Sequence, residues 1–596
     1  MMENTSSESI EVNALEIVAH IMPTQNLDKI SICTVGEHKE DCDEFVPEVS
    51  SSTEKDEFTA EKREALKLKA YENQRQAQFE QFREANPSRM PTNENVEKAA
   101  SEIPYITAEQ IKLDERTDLT EEQKTELLAC INRFRHIFVT QKGQLGRIKY
   151  VKHVIEVTGR PVKQKPYQAA HIHREFIDKE ISALLQQDLI RHSKSPWASS
   201  IVVLDKKDGT YRLCIDYRKL NAVTIKDTYP LPRIQEVLDG LAGSSFFSTF
   251  DMASGYWQVE MAEAAKEKTA FCAPAGLFEW NVMPFGLTNA PSTFQRLSEA
   301  IFAGPDYRTA YFDDILVYSK QWGEHVKHVE DTFMQCHLSG AMLKLSKCEF
   351  GQPQIHALGF ICNKEGVSKD PKKLHSIANY PAPKSPKEIK QFLGMCGYYR
   401  QFIPNFSRIA EPMVRLLKKF LKFKWTDEQE QSFQKLKEMM AQDGVLAYPD
   451  LDKPFVLSTD ASIDGLGAVL EQPVSDDPED GMKPISYISR TTTEAERNYS
   501  ITDLEAAAVV FAVKKFRVYL YGRPFHIITD HSALQFMFKS KCGSARVMRW
   551  ALQLQEFDFK IIHRPGATNV MADALSRNPV DDAEHTPEIC EIEILQ

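Results

Sequence analysis

Apolar positions change period several times along this chain, and the changes mark out its parts. After Thr120-Glu121-Glu122-Gln123, which reads as a capping box, Leu127, Leu128, Ile131 and Phe134 recur at helical spacing. Ile177, Ile181, Leu184 and Leu185 repeat that pattern. From Ser200 the blocks shorten. Residues 201–204 and 211–215 are apolar runs flanking a polar tip with Asp208-Gly209, and they predict a β-hairpin. Strand patterns return at 245–250 and 310–319. Helical spacing resumes after Ser385-Pro386-Lys387-Glu388, with Ile389, Phe392, Leu393 and Cys396, and again after Thr426, with Phe433, Leu436 and Met440. Near residue 450 the pattern changes once more. Strands are predicted at 455–459 and 467–470, a polar loop at 474–482, a helix at 503–518 and a strand at 525–529.

The ends differ from the body. Residues 1–58 are Ser/Glu-rich and aperiodic, which predicts disorder, and 59–86 read as a charged, solvated helix. With 596 residues the chain is too long for one core. Its 42% hydrophobic and 27% charged content suits a globular protein. No apolar run reaches membrane-span length, and the acidic N-terminus lacks the pattern of a signal peptide. The 11 cysteines include no C-x-x-C pair, which argues against a zinc knuckle and fits a reducing, intracellular compartment. The net charge of −12 is concentrated at the ends: residues 1–60 hold 14 acids against 3 bases, and 578–596 hold 6 acids and no base. The body between them is mildly basic. That suits either a neutral protein with solvated tails or a polyanion-binding body.

Seven carboxylates carry the chemistry. Asp251 ends the apolar run Ser248-Thr249-Phe250, and Asp313 and Asp314 lie between Tyr311-Phe312 and Ile315-Leu316-Val317-Tyr318. Adjacent acids inside strand-like apolar sequence are costly to bury without a cation. A tight turn at the pair, beside the end of the first strand, would let Asp251 and Asp313 share two magnesium ions, with Asp314 an outer ligand. The plainer reading is an Asp-rich surface turn, which the apolar run after Asp314 disfavours. The second set is Asp460, Glu505, Asp530 and Asp573, drawn from four predicted elements. Asp573 also suits the first turn of a helix and Asp530 a turn before His531. Asp503 competes with Glu505.

The blocks SPWASSIVVLDKKDGTYRLCIDYRKLN, FSTFDMASGYWQ, MPFGLTNAPSTFQ, YFDDILVYS, LGF and FLGMCGYYRQFI resemble, in order, the reverse transcriptases of Ty3/gypsy-type long-terminal-repeat retrotransposons. STDASIDGLGAVL, ITDLEAAAVV, ITDHSAL and HRPGATNVMADALSR resemble a ribonuclease H domain. The likeness spans roughly residues 147–577. It implies that Asp251, Asp313 and Asp314 are the polymerase triad and that Asp460, Glu505, Asp530 and Asp573 cut the RNA strand of a hybrid, each set holding two Mg2+, with Mn2+ able to substitute. It also implies that Lys206 and Arg212 contact the triphosphate. Tyr256 would be the aromatic gate against a ribose 2′-hydroxyl, Phe285 would lie beneath nucleotide and template where relatives often carry Gln, and Leu358-Gly359-Phe360 would grip the primer. His563, ten residues before Asp573 and with Asn569 between them, matches a mobile histidine suited to proton shuttling. Its plainer reading is a strand-end residue.

The implied architecture is an α+β right-hand polymerase of fingers, palm and thumb, then a connection and an α/β ribonuclease H domain. Its expected limits are an acidic, largely disordered region at 1–110, a helical lead-in with fingers and palm at 111–363, thumb and connection at 364–450, ribonuclease H at 451–577 and an acidic tail at 578–596. The expected partners are an RNA template, a DNA or tRNA primer, RNA–DNA hybrid and dNTPs, with no membrane; no oligomeric state follows. The expected location is cytoplasmic, including retroelement particles, with nuclear access. No D-T-G or D-S-G protease triad and no H…H…C-x-x-C module is present, so a polymerase–ribonuclease H segment is expected. A catalytically silent nucleic-acid-binding relic is the alternative.

Overall fold

The structure is a computed structural model that describes residues 93–564, except 102, 140–142, 168–170, 206–208, 405, 419–420, 464, 476–480 and 535–544. The expected disorder at 1–58, the charged helix at 59–86 and the tail at 578–596 lie outside the described residues.

The N-terminal limit needs correction. Residues 93–110, expected within the disordered region, join the palm core. The helix Asn93–Ala100 and the segment after it bury Val96 and Ile106 beside Leu127, Ile131 and Phe134. Two apolar residues suffice because polar anchors assist them. Asn132 bonds both backbone groups of Ile106, and Arg135 donates to the Ile103 carbonyl. The predicted helix follows as Glu121–Arg133, with the Thr120 capping box formed.

The fingers are a five-stranded sheet in the order Ile190–His192, Gly276–Trp280, Phe271–Ala273, Ser199–Asp205, Tyr211–Asp216. The predicted hairpin is its edge, pairing Ile201 with Ile215. Ile177, Ile181 and Leu184 of the helix Arg174–Gln186 pack with Phe271, Phe278 and Trp280 as its core.

The palm sheet runs Glu349–Gln352, Phe246–Asp251, Asp314–Ser319, Arg308–Tyr311. Both faces are covered, so alternate residues enter different cores: Ile315 and Val317 one, Leu316 and Tyr318 the other. The helix Trp322–Ser339 lies behind it and ties it together through a buried imidazole. His325 Nε2 is 2.8 Å from Ser248 Oγ and its Nδ1 2.9 Å from Ser319 Oγ, while Ser248 Oγ accepts from the Gly351 amide. His325 thus joins two strands directly and a third through Ser248, and burial lowers its pKa to about 3. The folded protein resists a proton that the unfolded chain accepts near pH 6.5, so this stabilisation is lost as pH falls from about 6.5 toward 3. We expect wild-type stability to drop by roughly 2 kcal/mol between pH 6.5 and 5 from this group alone. His325→Gln should be less stable at pH 7 with a flatter acid slope, measured by urea unfolding; an unchanged slope would remove His325 as the cause.

A third sheet joins Gln354–Ala357, Phe360–Asn363, Gly366–Lys369 and Val445–Leu446. This corrects the limit set between 363 and 364, which runs through a hairpin pairing Asn363 with Gly366. The sheet belongs with the helices Pro371–Ala378, Pro386–Gly397, Phe406–Arg415 and Asp427–Ala441, whose Ile377, Ile389, Phe392, Met413 and Phe433 share a core with Ile355, Phe360 and Cys362.

The last sheet runs Met482–Thr491, Gly465–Pro473, Phe455–Ser462, Phe525–Thr529, Phe559–His563, with the final two pairings parallel. The helix Ile501–Lys515 packs Ala506, Val509 and Val513 against Phe455 and Leu457. Val469 and Tyr487 are buried in the connection core instead, and Ser407 Oγ donates to the Ser489 carbonyl at 2.9 Å. The connection therefore covers this sheet directly.

Candidate active sites

The polymerase cluster is built by strand register. Asp314 opens its strand opposite Asp251, which ends the neighbouring one, and Tyr311 also pairs with Asp314. Phe312 and Asp313 therefore form a two-residue turn, the tight turn that the sequence requires. Phe312 takes φ 51°, a left-handed conformation unfavourable for a bulky residue. Helix Ala290–Phe302 holds it there: Gln295 accepts from the Phe312 amide at 3.0 Å and Ser298 Oγ donates to the Phe312 carbonyl at 3.1 Å. On the other side the Met252 amide donates to the Asp313 carbonyl at 3.1 Å.

The electrostatics ask for a cation. Burial, then Asp251 and Asp314, push Asp313 up to about 7. Desolvation in the cleft and Asp251 push Asp314 the same way. Asp313 Oδ1 is buried with no hydrogen-bond donor. Lys347, at the end of the turn Leu345–Lys347, donates to Asp251 Oδ2 at 2.9 Å and supplies part of the missing charge. Lys347, Gln295 and Ser298 were not legible as site residues, since nothing local in sequence ties them to the acids.

Gly255 is the other hidden determinant. A Cβ there would lie 2.6 Å from Asp313 Oδ1 and 2.7 Å from the Phe294 ring. Gly255→Ala is expected to displace the Asp313 carboxylate and lower primer extension by about 10²-fold. Single-turnover extension rates would check this; a rate within a few-fold of wild type would show that the pocket yields freely.

Three of the four predicted nucleotide contacts form a column. Arg212 lies 5.7 Å from the Phe285 ring centroid, and Phe285 stacks on Tyr256 at 5.1 Å and 30°. Tyr256 packs on Phe294 behind it at 5.2 Å. Phe285, between Arg212 and Tyr256, is 43% exposed. Lys206 lies outside the described residues. At the Leu358-Gly359-Phe360 turn, Leu358 and Gly359 have φ 51° and 78°, and Tyr398 and Tyr399 donate their hydroxyls to the two carbonyls.

In the second cluster Asp460, Glu505 and Asp530 converge, with ligand oxygens all within 4.8 Å of one another. Asp460 lies on the strand Phe455–Ser462, Glu505 on the helix beneath, and Asp530 directly after the strand Phe525–Thr529. Burial, then Asp460 and Asp530, push Glu505 up to about 9. Its Oε1 accepts from the Ala461 amide at 3.0 Å, and its Oε2 is buried with no donor. Such an oxygen-only set, with buried oxygens lacking donors at both clusters, suits a hard divalent cation. Of the two competing acids, Glu505 lies in the cluster, while Asp503 Oδ2 pairs with Arg546 at 3.4 Å. His563 ends the edge strand, exposed, with Nε2 3.0 Å from the Asp530 carbonyl, so the strand-end residue also touches the loop of a site acid. Asp573 and Asn569 lie outside the described residues.

Residues 204–362 match the family "Reverse transcriptase (RNA-dependent DNA polymerase)", and residues 450–557 match the "RNase H-like domain found in reverse transcriptase". The retrovirus-related Pol polyprotein from transposon 297 of Drosophila melanogaster is 39% identical over 81% of this chain and 46% of that protein. The one from transposon gypsy of the same organism is 34% identical over 82% and 49%. The Tf2-3 polyprotein of Schizosaccharomyces pombe is 36% identical over 74% and 33%. The chain thus spans about half the length, or less, of the curated relatives it matches. Among solved structures, the dRH form of a foamy viral protease–reverse transcriptase with double-stranded DNA matches at TM-score 0.69 and 23% identity, over 76% of this chain and 81% of that chain. Another with RNA/DNA hybrid covers 80% and 65% at TM-score 0.66 and 22% identity. These two likenesses show a reverse transcriptase fold. The catalytically silent alternative gains nothing from them. The chain carries a reverse transcriptase domain and an RNase H-like domain, and its relatives include Pol polyproteins of Ty3/gypsy-type transposons.

Proposed function

We propose that the chain copies RNA into DNA and degrades the RNA strand of the resulting hybrid, with phosphoryl chemistry at both carboxylate clusters. The observation that carries this reading is the pairing in one chain of the Asp251–Asp313–Asp314 turn with the Asp460–Glu505–Asp530 cluster. Magnesium, when bound by these acids, would polarise the reacting phosphates and lower the pKa of the attacking hydroxyl or water. Asp251, Asp313 and Asp314 line the place where a primer 3′-hydroxyl would meet the α-phosphate of a dNTP. Arg212 would clasp the triphosphate, and Tyr256 and Phe285 would pack against sugar and base. At the second cluster, Asp460, Glu505 and Asp530 would together hold metal at the scissile phosphate of the RNA, and Asp573 is proposed to complete the set. His563 is proposed to move protons or help release product. Backbone contacts along the groove should dominate binding of template, primer and hybrid, so affinity should fall with salt.

The test is one assay on the full chain. A labelled RNA template with a DNA primer and dNTPs is followed for extension and for RNA cutting, with magnesium and after chelation. Both activities are expected with metal and neither without it. Hybrid binding with no chemistry in magnesium or manganese would sink the proposal.

A further inference from the structure

A hydrogen bond outside both acid clusters ties the RNase H domain to the palm. Tyr519 donates its hydroxyl to Asp239 Oδ2 at 2.8 Å, and Gln235 Nε2 donates to Asp239 Oδ1 at 2.8 Å, so both carboxylate oxygens are engaged and the group is held in one orientation. What stands behind each partner gives the bond its meaning. Asp239 closes the helix Ile234–Asp239, whose Val237 and Leu238 are buried with Phe247, Leu316 and Tyr318. Those three residues belong to the strands that end at Asp251 and begin at Asp314. On the other side the Tyr519 ring packs 6.1 Å from Phe455 and 6.4 Å from Phe516. Phe455 opens the strand of Asp460, and Phe516 caps the helix of Glu505. Each partner is therefore seated on the elements that carry one set of site acids. The contacts through Ser489 and Pro484 reach Ser407 and Ala447, in the connection segment, and do not touch the palm.

We propose that the Tyr519–Asp239 bond is a positioning contact that sets the spacing, along a bound hybrid, between the primer end and the cut in the RNA. This rests on the function proposed above. A tyrosine hydroxyl on a doubly anchored carboxylate is short and directional, so it restricts sliding of one domain over the other more than apolar packing does. Without it the connection would still hold the domains together but with looser registration.

The experiment uses the full chain, an end-labelled RNA annealed to a recessed DNA primer, and no dNTPs, with cut positions read at single-nucleotide resolution. Tyr519→Phe and Asp239→Ala are compared with the double variant. Extension rates and total cutting should stay within about two-fold of wild type, while the main cut spreads over neighbouring positions or moves by a nucleotide or more. The double variant should be no worse than either single, because both remove one bond. An unchanged cut ladder in both singles overturns the proposal, as does a loss of total cutting at unchanged positions. Asp239→Ala is the independent arm if Tyr519→Phe does not fold. Wild-type protein that neither extends nor cuts would refute the functional reading itself, whatever the variants do.

Discussion

Asp313→Asn is expected to abolish primer extension, by at least about 10³-fold or 4 kcal/mol of transition-state stabilisation, while hybrid cutting stays near wild type. The asparagine imitates the protonated acid. Since Asp313 is pushed up to about 7 by burial and by Asp251 and Asp314, the turn already tolerates a neutral side chain there, and the fold should survive. What is lost is the negative oxygen that a cation needs. The same shift has a pH consequence. Protons and magnesium compete for Asp313, so below about pH 7 the magnesium needed for half-maximal extension should rise by up to about tenfold per pH unit. Extension measured across magnesium and pH would check both statements. Extension by Asp313→Asn within tenfold of wild type would remove the acid from the reaction. Cutting lost in parallel would show that the substitution had disturbed the whole chain.

Much of this site was legible in the sequence because its acids sit in locally patterned segments. The apolar run into Asp251, the hairpin carrying Arg212 and the helix carrying Glu505 all appear in the fold, and the tight turn demanded at the acid pair falls one residue earlier, on Phe312 and Asp313. The capping residues Thr120 and Ser385 accept from the backbone amides of Gln123 and Glu388 at the predicted helix starts. The gaps come from pairing over long distances. The limit at 363 cut a hairpin that pairs Asn363 with Gly366, and no local period announces that Val445 and Leu446 extend the same sheet beside Ser368 and Val367. No strand was expected after the loop at 474–482, yet Met482–Thr491 forms one and buries Ile485, Tyr487, Ser489 and Thr491 on one face. Lys347 stands 96 residues from Asp251, and Gly255 matters because Asp313 from a distant turn and the Phe294 ring fill the space above it. Tertiary proximity creates these roles, and a one-dimensional pattern carries no trace of it.

Glu505→Gln should separate stability from catalysis at the second cluster. In the metal-free protein three acids face one another within 4.8 Å, and Glu505 is pushed up to about 9 by burial, Asp460 and Asp530. The folded chain therefore keeps a proton on Glu505 that the unfolded chain releases near pH 4.5. The folded-state advantage is full below about pH 4.5 and is lost as pH rises toward 9, at up to roughly 1.4 kcal/mol per pH unit. Glutamine is permanently neutral and keeps an oxygen for the Ala461 amide. With chelator present, the variant should melt no lower than wild type at neutral pH and should lose the fall in stability between pH 5 and 9. Magnesium should then raise the wild-type melting temperature by more than the variant's, which keeps only the polymerase cluster as a metal site, because binding adds stability only where the carboxylates can form. Hybrid cutting should drop by about 10³-fold with primer extension intact. Melting curves with and without chelator, beside the cutting assay, decide it. A variant that melts well below wild type without metal would mean that Glu505 contributes to the fold as an anion. A variant that still cuts would return the glutamate role to another residue.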